Sequence, residues 1–356
     1  MDRFAQQLLQ WFRTNGRHDL PWQQEMTPYR VWISEIMLQQ TQVATVIPYF
    51  QRFIIRFPDI ETLAQSTIDD VLHQWTGLGY YARGRNLYKT AQIICTNYGG
   101  RFPTEIETLK KLPGIGHSTA AAILSLACQQ HHAILDGNVK RVLTRYHAIT
   151  GWPGKARVEQ KLWQLADRHT PDKSVSQYTQ AIMDLGATVC MRRNPRCDIC
   201  PVRKRCLARR QGKQQEFPNR KVNKSIPVRE TVFVMVQNSR HETLLVKRPP
   251  CGVWGGLWGF PECKSGTDVK QWVEDELGYM VNHYQYWPVR RHTFSHFHQD
   301  ILPVQLQVKD NVTRIKEDKL WCWYRSDTVS AIGMPAPVKT LLEGLYEQDS
   351  SLRKAG

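Results

Sequence analysis

The chain has 356 residues, 41% of them hydrophobic, enough for two domains of ordinary size, each with its own core. Its formal net charge is +16, and residues 1–225 hold nearly all of it: 32 Lys and Arg against 17 Asp and Glu, compared with 16 against 15 in residues 226–356. Nine cysteines, an odd number, argue against a disulfide framework, and no run approaches the apolar length of a membrane span. These features argue against a disulfide-stapled domain and against a membrane-spanning helix, and they direct the basic part toward a polyanion, by default nucleic acid.

The opening MDRFAQQLLQWFRTNGR is amphipathic with an early acid. It has neither the apolar stretch nor the small-residue cleavage site of a signal peptide, so a cytoplasmic protein is expected, which its basic charge would associate with DNA. In TPYRVWISEIML, Thr27 can cap a helix and Pro28 suits its first turn. VATVIPYFQRFI sets Val43, Val46, Ile47, Phe50 and Ile54 in a helical stripe. STIDDVLHQW offers Thr67 as N-cap with Asp70 three residues on, and Gly77 and Gly79 end that helix. TEIETLKKL repeats the capping pattern with Thr104 and Glu107. At least six short helices with tight turns predict an all-α domain over residues 1–207.

Residues 208–227, polar and basic without periodicity, read as a linker. Beyond it RETVFVMVQ and ETLLVKR are β-rich runs joined by the turn-forming NSRH. TDVKQWVEDELG is an amphipathic helix stopped by Gly278, DILPVQLQV and WCWY are strands, and PVKTLLEGLYEQ is a last helix. Residues 228–350 are therefore expected to form an α+β domain.

Four stretches carry chemistry. In LPGIGHSTAAAILSLA, residues 112–127, Gly114 and Gly116 let the backbone approach a ligand, and the helix that follows aims free N–H groups outward. Beside a basic domain the anion would be a DNA phosphate, although an ordinary turn between two helices fits this stretch as well. In LDGNVKRVL, Asp136 is a natural N-cap, and Asn138 can orient its carboxylate. In RVWISEIMLQQTQV, Glu35 sits among apolar residues, which would raise its pKa as a general acid requires; Gln39, Gln40 and Thr41 follow, suited to base edges or phosphates. Finally, Cys190, Cys197, Cys200 and Cys206 are spaced C-x6-C-x2-C-x5-C, with six basic residues between them. A structural zinc more often shows two C-x2-C pairs and an iron–sulfur cluster accepts more varied spacing; the spacing alone leaves both open.

These residues together resemble the helix-hairpin-helix DNA glycosylases related to endonuclease III. SEIMLQQTQVATVIPYF, WTGLGYYAR, LDGNVKRVL and RHTFSHFH resemble the MutY-type adenine DNA glycosylases within them, over nearly the whole chain. The resemblance implies removal of adenine mispaired with 8-oxoguanine or guanine in duplex DNA, by a chain expected to act as a monomer away from membranes. It implies Glu35 as catalytic acid, Asp136 as the carboxylate beside the cationic sugar, oriented by Asn138, and one [4Fe-4S] cluster on the four cysteines of residues 190–206. By the same resemblance Gln40 and Tyr80 enter the stack at the damaged pair, with Thr41 beside Gln40 suited to DNA contact, Gly114, Gly116 and Ser118 belong to the DNA-binding hairpin, Gln180 lines the adenine pocket, and Ser295 and His296 help identify 8-oxoguanine. Ser118 stands where strong lyases of the superfamily carry a lysine, so a monofunctional glycosylase is expected.

The second domain resembles the Nudix fold but lacks that family's R-E-x-x-E-E cluster, which removes pyrophosphate hydrolysis and leaves recognition of the opposite base. His292, His296 and His298 alternate as on a strand, and a metal site there is disfavoured. Two rivals stand beside this reading. Ser118 and the second domain oppose an endonuclease III-like lyase for oxidised pyrimidines, and the presence of both carboxylates opposes a non-catalytic iron–sulfur DNA-binding sensor.

Overall fold

The computed structural model of the chain describes residues 1–221, 225–309, 321–325 and 332–355, with side chains to residue 347 of the last helix. Residues 222–224 of the expected linker, and 310–320 and 326–331 of the expected second domain, lie outside the described residues. The helices in chain order are α1 Arg3–Asn15, α2 Pro28–Leu38, α3 Val43–Arg56, α4 Ile60–Gln65, α5 Ile68–Gln74, α6 Ala82–Tyr98, α7 Ile106–Leu109, α8 His117–Ala127, α9 Gly137–Tyr146, α10 Ala156–His169, α11 Val175–Asp184, α12 Leu207–Arg210, α13 Val269–Leu277 and α14 Ala336–Ala355. The strands are β1 Val228–Gln237, β2 Thr243–Lys247, β3 Trp258–Gly259, β4 Glu262–Cys263, β5 Val281–Tyr286, β6 Arg290–Thr293, β7 His298–Val308 and β8 Trp321–Tyr324.

The chain forms two compact units: residues 1–65 with 86–223, and residues 66–85 with 224–356. The first unit is helical. Thr27 caps α2 by accepting from the Arg30 N–H, with Pro28 in the first turn. Tyr29, Val31, Trp32, Ile33, Ile36 and Met37 are all buried, so α2 is apolar on nearly every side and lies inside the unit. On α3 the buried residues are Val46, Phe50 and Phe53, with Phe57 just beyond; Val43, Ile47 and Ile54 of the expected stripe are only partly buried. The expected Thr104 cap is not used. A single helical turn starts instead at Ile106 after Glu105, because the preceding residues stay extended. Much of the expected linker is packed: α12 buries Ala208, and Phe217 is buried with its carbonyl accepting from Arg145.

The second unit contains a mixed sheet in the order β3-β2-β1-β7-β5, with β4 pairing β1, β6 pairing β7 and β8 pairing β2. β1 runs parallel to β7 in a ten-residue register from Val228↔His298 to Gln237↔Gln307, and antiparallel to β2. Its last six residues are buried because both faces are covered. Val232, Val234 and Val236 share a core with Val269, Val273 and Leu277 of α13, while Phe233 turns the other way to meet Trp254 and Phe260. Asp268 caps α13, and Gly278 closes it in the left-handed conformation.

Residues 66–85 pack within this second unit. Thr67 caps α5, and the Asp69 carboxylate meets the Lys247 ammonium at 2.7 Å. Leu72 lies so close to Gly333 that a Cβ there would come within 2.7 Å of it. Arg85 donates to the Gly255 carbonyl at 2.7 Å.

Candidate active site and cysteine loop

Glu35, Asp136, Asn138, Gln180, Ser118, Gln40 and Thr41 all line one cavity of about 810 Å³ in the first unit. Glu35 reaches it from α2. Burial, with the nearby Asp136 charge second, pushes its carboxyl from 4.5 up to about 8. Asp136 is the N-cap of α9, its Oδ1 accepting from the Val139 N–H at 2.7 Å, so the capping role and a place in the cavity coexist. Asn138 Nδ2 donates to Asp136 Oδ2 at 3.1 Å. Burial raises the Asp136 carboxyl, opposed by these hydrogen bonds and by Arg141. Two carboxyl groups thus face one cavity in unlike surroundings, Glu35 in an apolar helix and Asp136 among donors.

Gln180 donates through Nε2 to Asp184 Oδ1 at 2.9 Å, which leaves its Oε1 as an acceptor. Asp184 is fully buried and is held by Arg17, whose backbone N–H and Nε reach it at 2.7 and 2.9 Å. Ser118 Oγ accepts the Leu135 N–H at 3.1 Å and so ties the start of α8 to the strand-like run before Asp136. Gln40 takes a left-handed backbone, φ 60°, at the end of α2 and is exposed. Gly114, with φ 79°, and Gly116 lie on the exposed hairpin between α7 and α8; Gly114 packs against Asn86, and Gly116 has open space around it.

The four cysteines line a second cavity of the same unit, together with Val142, Tyr146, Leu185, Val189 and Val202. Burial pushes the Cys200 thiol up to about 12 and raises Cys197 and Cys206. Four soft sulfur donors around an apolar space suit a metal core that favours the thiolates. Among the described residues no three His, Cys, Asp or Glu side chains converge as the ligands of one ion would. The four cysteines are among the residues lining that cavity. Arg192, Arg193, Arg196, Arg203, Lys204 and Arg205 are exposed on this loop.

Sequence reasoning missed the residues that join the two cavities. Arg145 is buried and donates to the carbonyls of Phe217, Met191 and Arg192 at 2.9, 2.7 and 3.2 Å, with Nη1 also 3.3 Å from Cys190 Sγ. One turn earlier, Arg141 donates to the Cys190 carbonyl at 2.7 Å and through Nη2 to Asn138 Oδ1 at 2.7 Å and the Gly186 carbonyl at 2.6 Å. Gly186 lies in a π-helical turn, Leu185–Val189, where a Cβ would stand 2.6 Å from Asn138 Cβ. The i, i+4 arginine pair in KRVLTR was the available signal.

Tyr80, Ser295 and His296 belong to the second unit. Tyr80 is 46% exposed with φ 49°. Ser295 and His296 are exposed at the turn between β6 and β7, which the Phe294 N–H closes on the Phe297 carbonyl. The three histidines therefore do not share a strand: His292 is on β6 against Trp254, His296 is in the turn, and His298 starts β7.

An N-glycosidic bond yields to a carboxyl that keeps its proton at neutral pH with a second carboxyl beside it, and this cavity holds such a pair on a hairpin-helix scaffold. The arrangement accords with a DNA N-glycosylase of base excision repair, and that is the class the following matches show. Residues 33–168 match the HhH-GPD superfamily base excision DNA repair protein, and residues 231–344 match the NUDIX domain. The chain resembles the structure of a thermostable thymine-DNA glycosylase, with TM-score 0.54 and 27% identity over 58% of this chain and 95% of that one. The adenine DNA glycosylase of Buchnera aphidicola subsp. Acyrthosiphon pisum (strain APS) is 40% identical over 340 residues, 96% of this chain and 97% of its own. The human adenine DNA glycosylase is 36% identical over 72% of this chain and 57% of its own length. The chain belongs to the adenine DNA glycosylase family. No helix among the described residues is long and apolar enough to cross a membrane.

Proposed function

We propose that the chain, as a monomer, removes adenine lying opposite 8-oxoguanine or guanine in duplex DNA, by acid-assisted hydrolysis that leaves an abasic site. The observation that carries this reading is the Glu35 carboxyl, raised to about 8 in the cavity it shares with Asp136. Adenine leaves the stack and enters that cavity. Gln180 Oε1 accepts from its exocyclic amine, and Glu35, protonated at neutral pH, donates to N7. The C1′–N9 bond then breaks with the electron pair leaving on adenine, and the oxocarbenium-like sugar is stabilised by ionised Asp136, held by Asn138. Glu35, now ionised, takes a proton from the water that adds at C1′. Ser118 offers no amine, so no Schiff base forms at that position and the reaction ends with hydrolysis.

Gln40, Thr41 and Tyr80 serve at the opened pair, the Gly114–Gly116 hairpin holds a phosphate through backbone N–H groups, and Ser295 and His296 read the base opposite adenine. Cys190, Cys197, Cys200 and Cys206 fit one [4Fe-4S] cluster, which when bound would cross-link the loop. The exposed arginines and lysine of that loop then face the phosphate backbone, which answers why thiols and basic residues are interleaved there.

The test is single-turnover excision from duplexes with A opposite 8-oxoguanine, G or T. Fast release from the first, slower from the second and none from the third is expected. Equal release from all three would overturn the mispair assignment. No release from any, with binding intact, would favour a non-catalytic DNA-binding protein.

A further inference from the structure

Between α5 and α6 the chain makes a turn whose backbone is left-handed at Gly77, Gly79 and Tyr80, with φ 94°, 75° and 49°. A bulky residue takes that conformation only where its surroundings hold it. Here the turn is held from several sides. Trp75 Nε1 donates to the Gly79 carbonyl at 3.1 Å, and the buried Arg83 donates to the same carbonyl at 3.1 Å. Tyr81, 7% exposed, accepts the Gly77 N–H on its hydroxyl at 3.1 Å and donates that hydroxyl to the Met334 carbonyl at 3.0 Å. Ile332, two residues before Met334, meets His73 at 3.4 Å through its carbonyl.

All this fastening produces little burial for Tyr80 itself. The residue stays 46% exposed, with the Arg83 guanidinium 5.4 Å from the centre of its ring. A held, strained turn that leaves a flat aromatic in solvent beside a cation is built for display, and an aromatic beside a cation suits stacking on a nucleobase.

We propose that Tyr81 is a positioning residue for Tyr80: its hydroxyl fastens the Tyr80 turn to the segment leading into α14, and so sets where that aromatic meets the base stack. This rests on the reading that Tyr80 enters the stack at the mispair. Residues 66–85 and the Ser295 turn belong to one compact unit. The aromatic wedge and the reader of the opposite base are therefore parts of one unit, although 215 residues separate them in sequence (295 − 80).

Tyr81→Phe keeps the ring and removes both hydrogen bonds. It should slow single-turnover excision opposite 8-oxoguanine by about tenfold. In a Tyr80→Ala background the same change should have no further effect, because the residue it positions is gone. A 2-aminopurine beside the mispair should likewise lose the unstacking signal in Tyr81→Phe that it shows with the unaltered chain. Effects that multiply across the double variant, or an unaltered rate and signal in Tyr81→Phe, would overturn the proposal. The unaltered chain is run on A opposite 8-oxoguanine, G and T alongside; its failure to discriminate would sink the functional reading and not this one.

Discussion

Glu35→Gln should abolish excision and also stabilise the protein, by an amount that grows with pH. The Glu35 carboxyl is raised from 4.5 to about 8 in the folded chain, first by burial and then by Asp136. Below about pH 4.5 it is protonated in folded and unfolded chains alike, and its full contribution to stability is present. Between 4.5 and 8 the unfolded chain gives up the proton while the folded chain keeps it, which lowers stability by about 1.4 kcal/mol per pH unit. Above about 8 the loss is complete and level. A neutral amide of the same shape has no such dependence. From pH 5.5 to 7.5 the gap between variant and parent should widen by about 3 kcal/mol, or roughly 5–10 °C in melting temperature. Water at the mouth of the cavity screens part of this, so about 3–10 °C is expected. Thermal melts of both proteins at the two pH values measure the gap, and single-turnover assays on the same samples measure excision. Parent activity should hold to about pH 7 and fall through pH 8 as Glu35 loses its proton. A stability gap that stays constant or narrows with pH would refute the buried-acid argument, and so would activity that rises through pH 8.

Asp136→Asn keeps an acceptor for the Val139 N–H, so helix α9 should remain capped and DNA binding unchanged while excision falls about a thousandfold; gel-shift and excision assays separate the two, and retained turnover would remove Asp136 from the chemistry. Gly186→Ala drives a Cβ into Asn138 and should cost about 1–3 kcal/mol of stability as well as slow excision, since Asn138 holds one oxygen of Asp136; a variant equal to the parent in urea melts would mean that the π-helical turn yields freely. Cys200→Ser should remove the visible absorbance of a bound cluster and loosen the basic loop. The slope of log affinity against log salt should then shallow by about 0.9 for each phosphate the loop no longer neutralises, and an unchanged slope would detach the loop from DNA binding.

What could be read from sequence was what nearby residues decide. Thr27, Thr67 and Gly278 cap or stop helices through partners within four positions, and each does so in the structure. Glu35 was conspicuous because its own helix is apolar, and Asp136 because the DGN turn follows it. Thr104 misled because a capping pattern says nothing about whether the helix is long enough to need it. The histidines at 292, 296 and 298 misled because alternation is also what a tight turn between two strands produces. The placement of residues 66–85 in the second unit rests on distant partners, such as Lys247 for Asp69, 178 positions away, and Gly255 for Arg85, and no local pattern encodes them. Arg17 with Asp184, 167 positions apart, was hidden for the same reason.

The cysteine loop raises a physical problem that α9 resolves. Residues 190–202 form no regular ladder among the described residues, so their carbonyls need donors from elsewhere. A buried arginine is costly alone, but its planar fork carries five N–H groups, and Arg145 spends them on carbonyls of Cys190, Met191, Arg192 and Phe217. Lysine could not do this: its three donors radiate from one point and cannot span carbonyls set that far apart. Four residues earlier Arg141 repeats the arrangement, with one nitrogen on the Cys190 carbonyl and another on Asn138. The same ten-residue helix begins at the Asp136 cap. One helix therefore has a carboxylate of the larger cavity at its start and the frame of the cysteine loop along its length. A loop that collapses without its metal core would release Arg141 and, through Asn138, the carboxylate. Loss of any one of the four thiols should then be felt at C1′ of the sugar as well as at the phosphates.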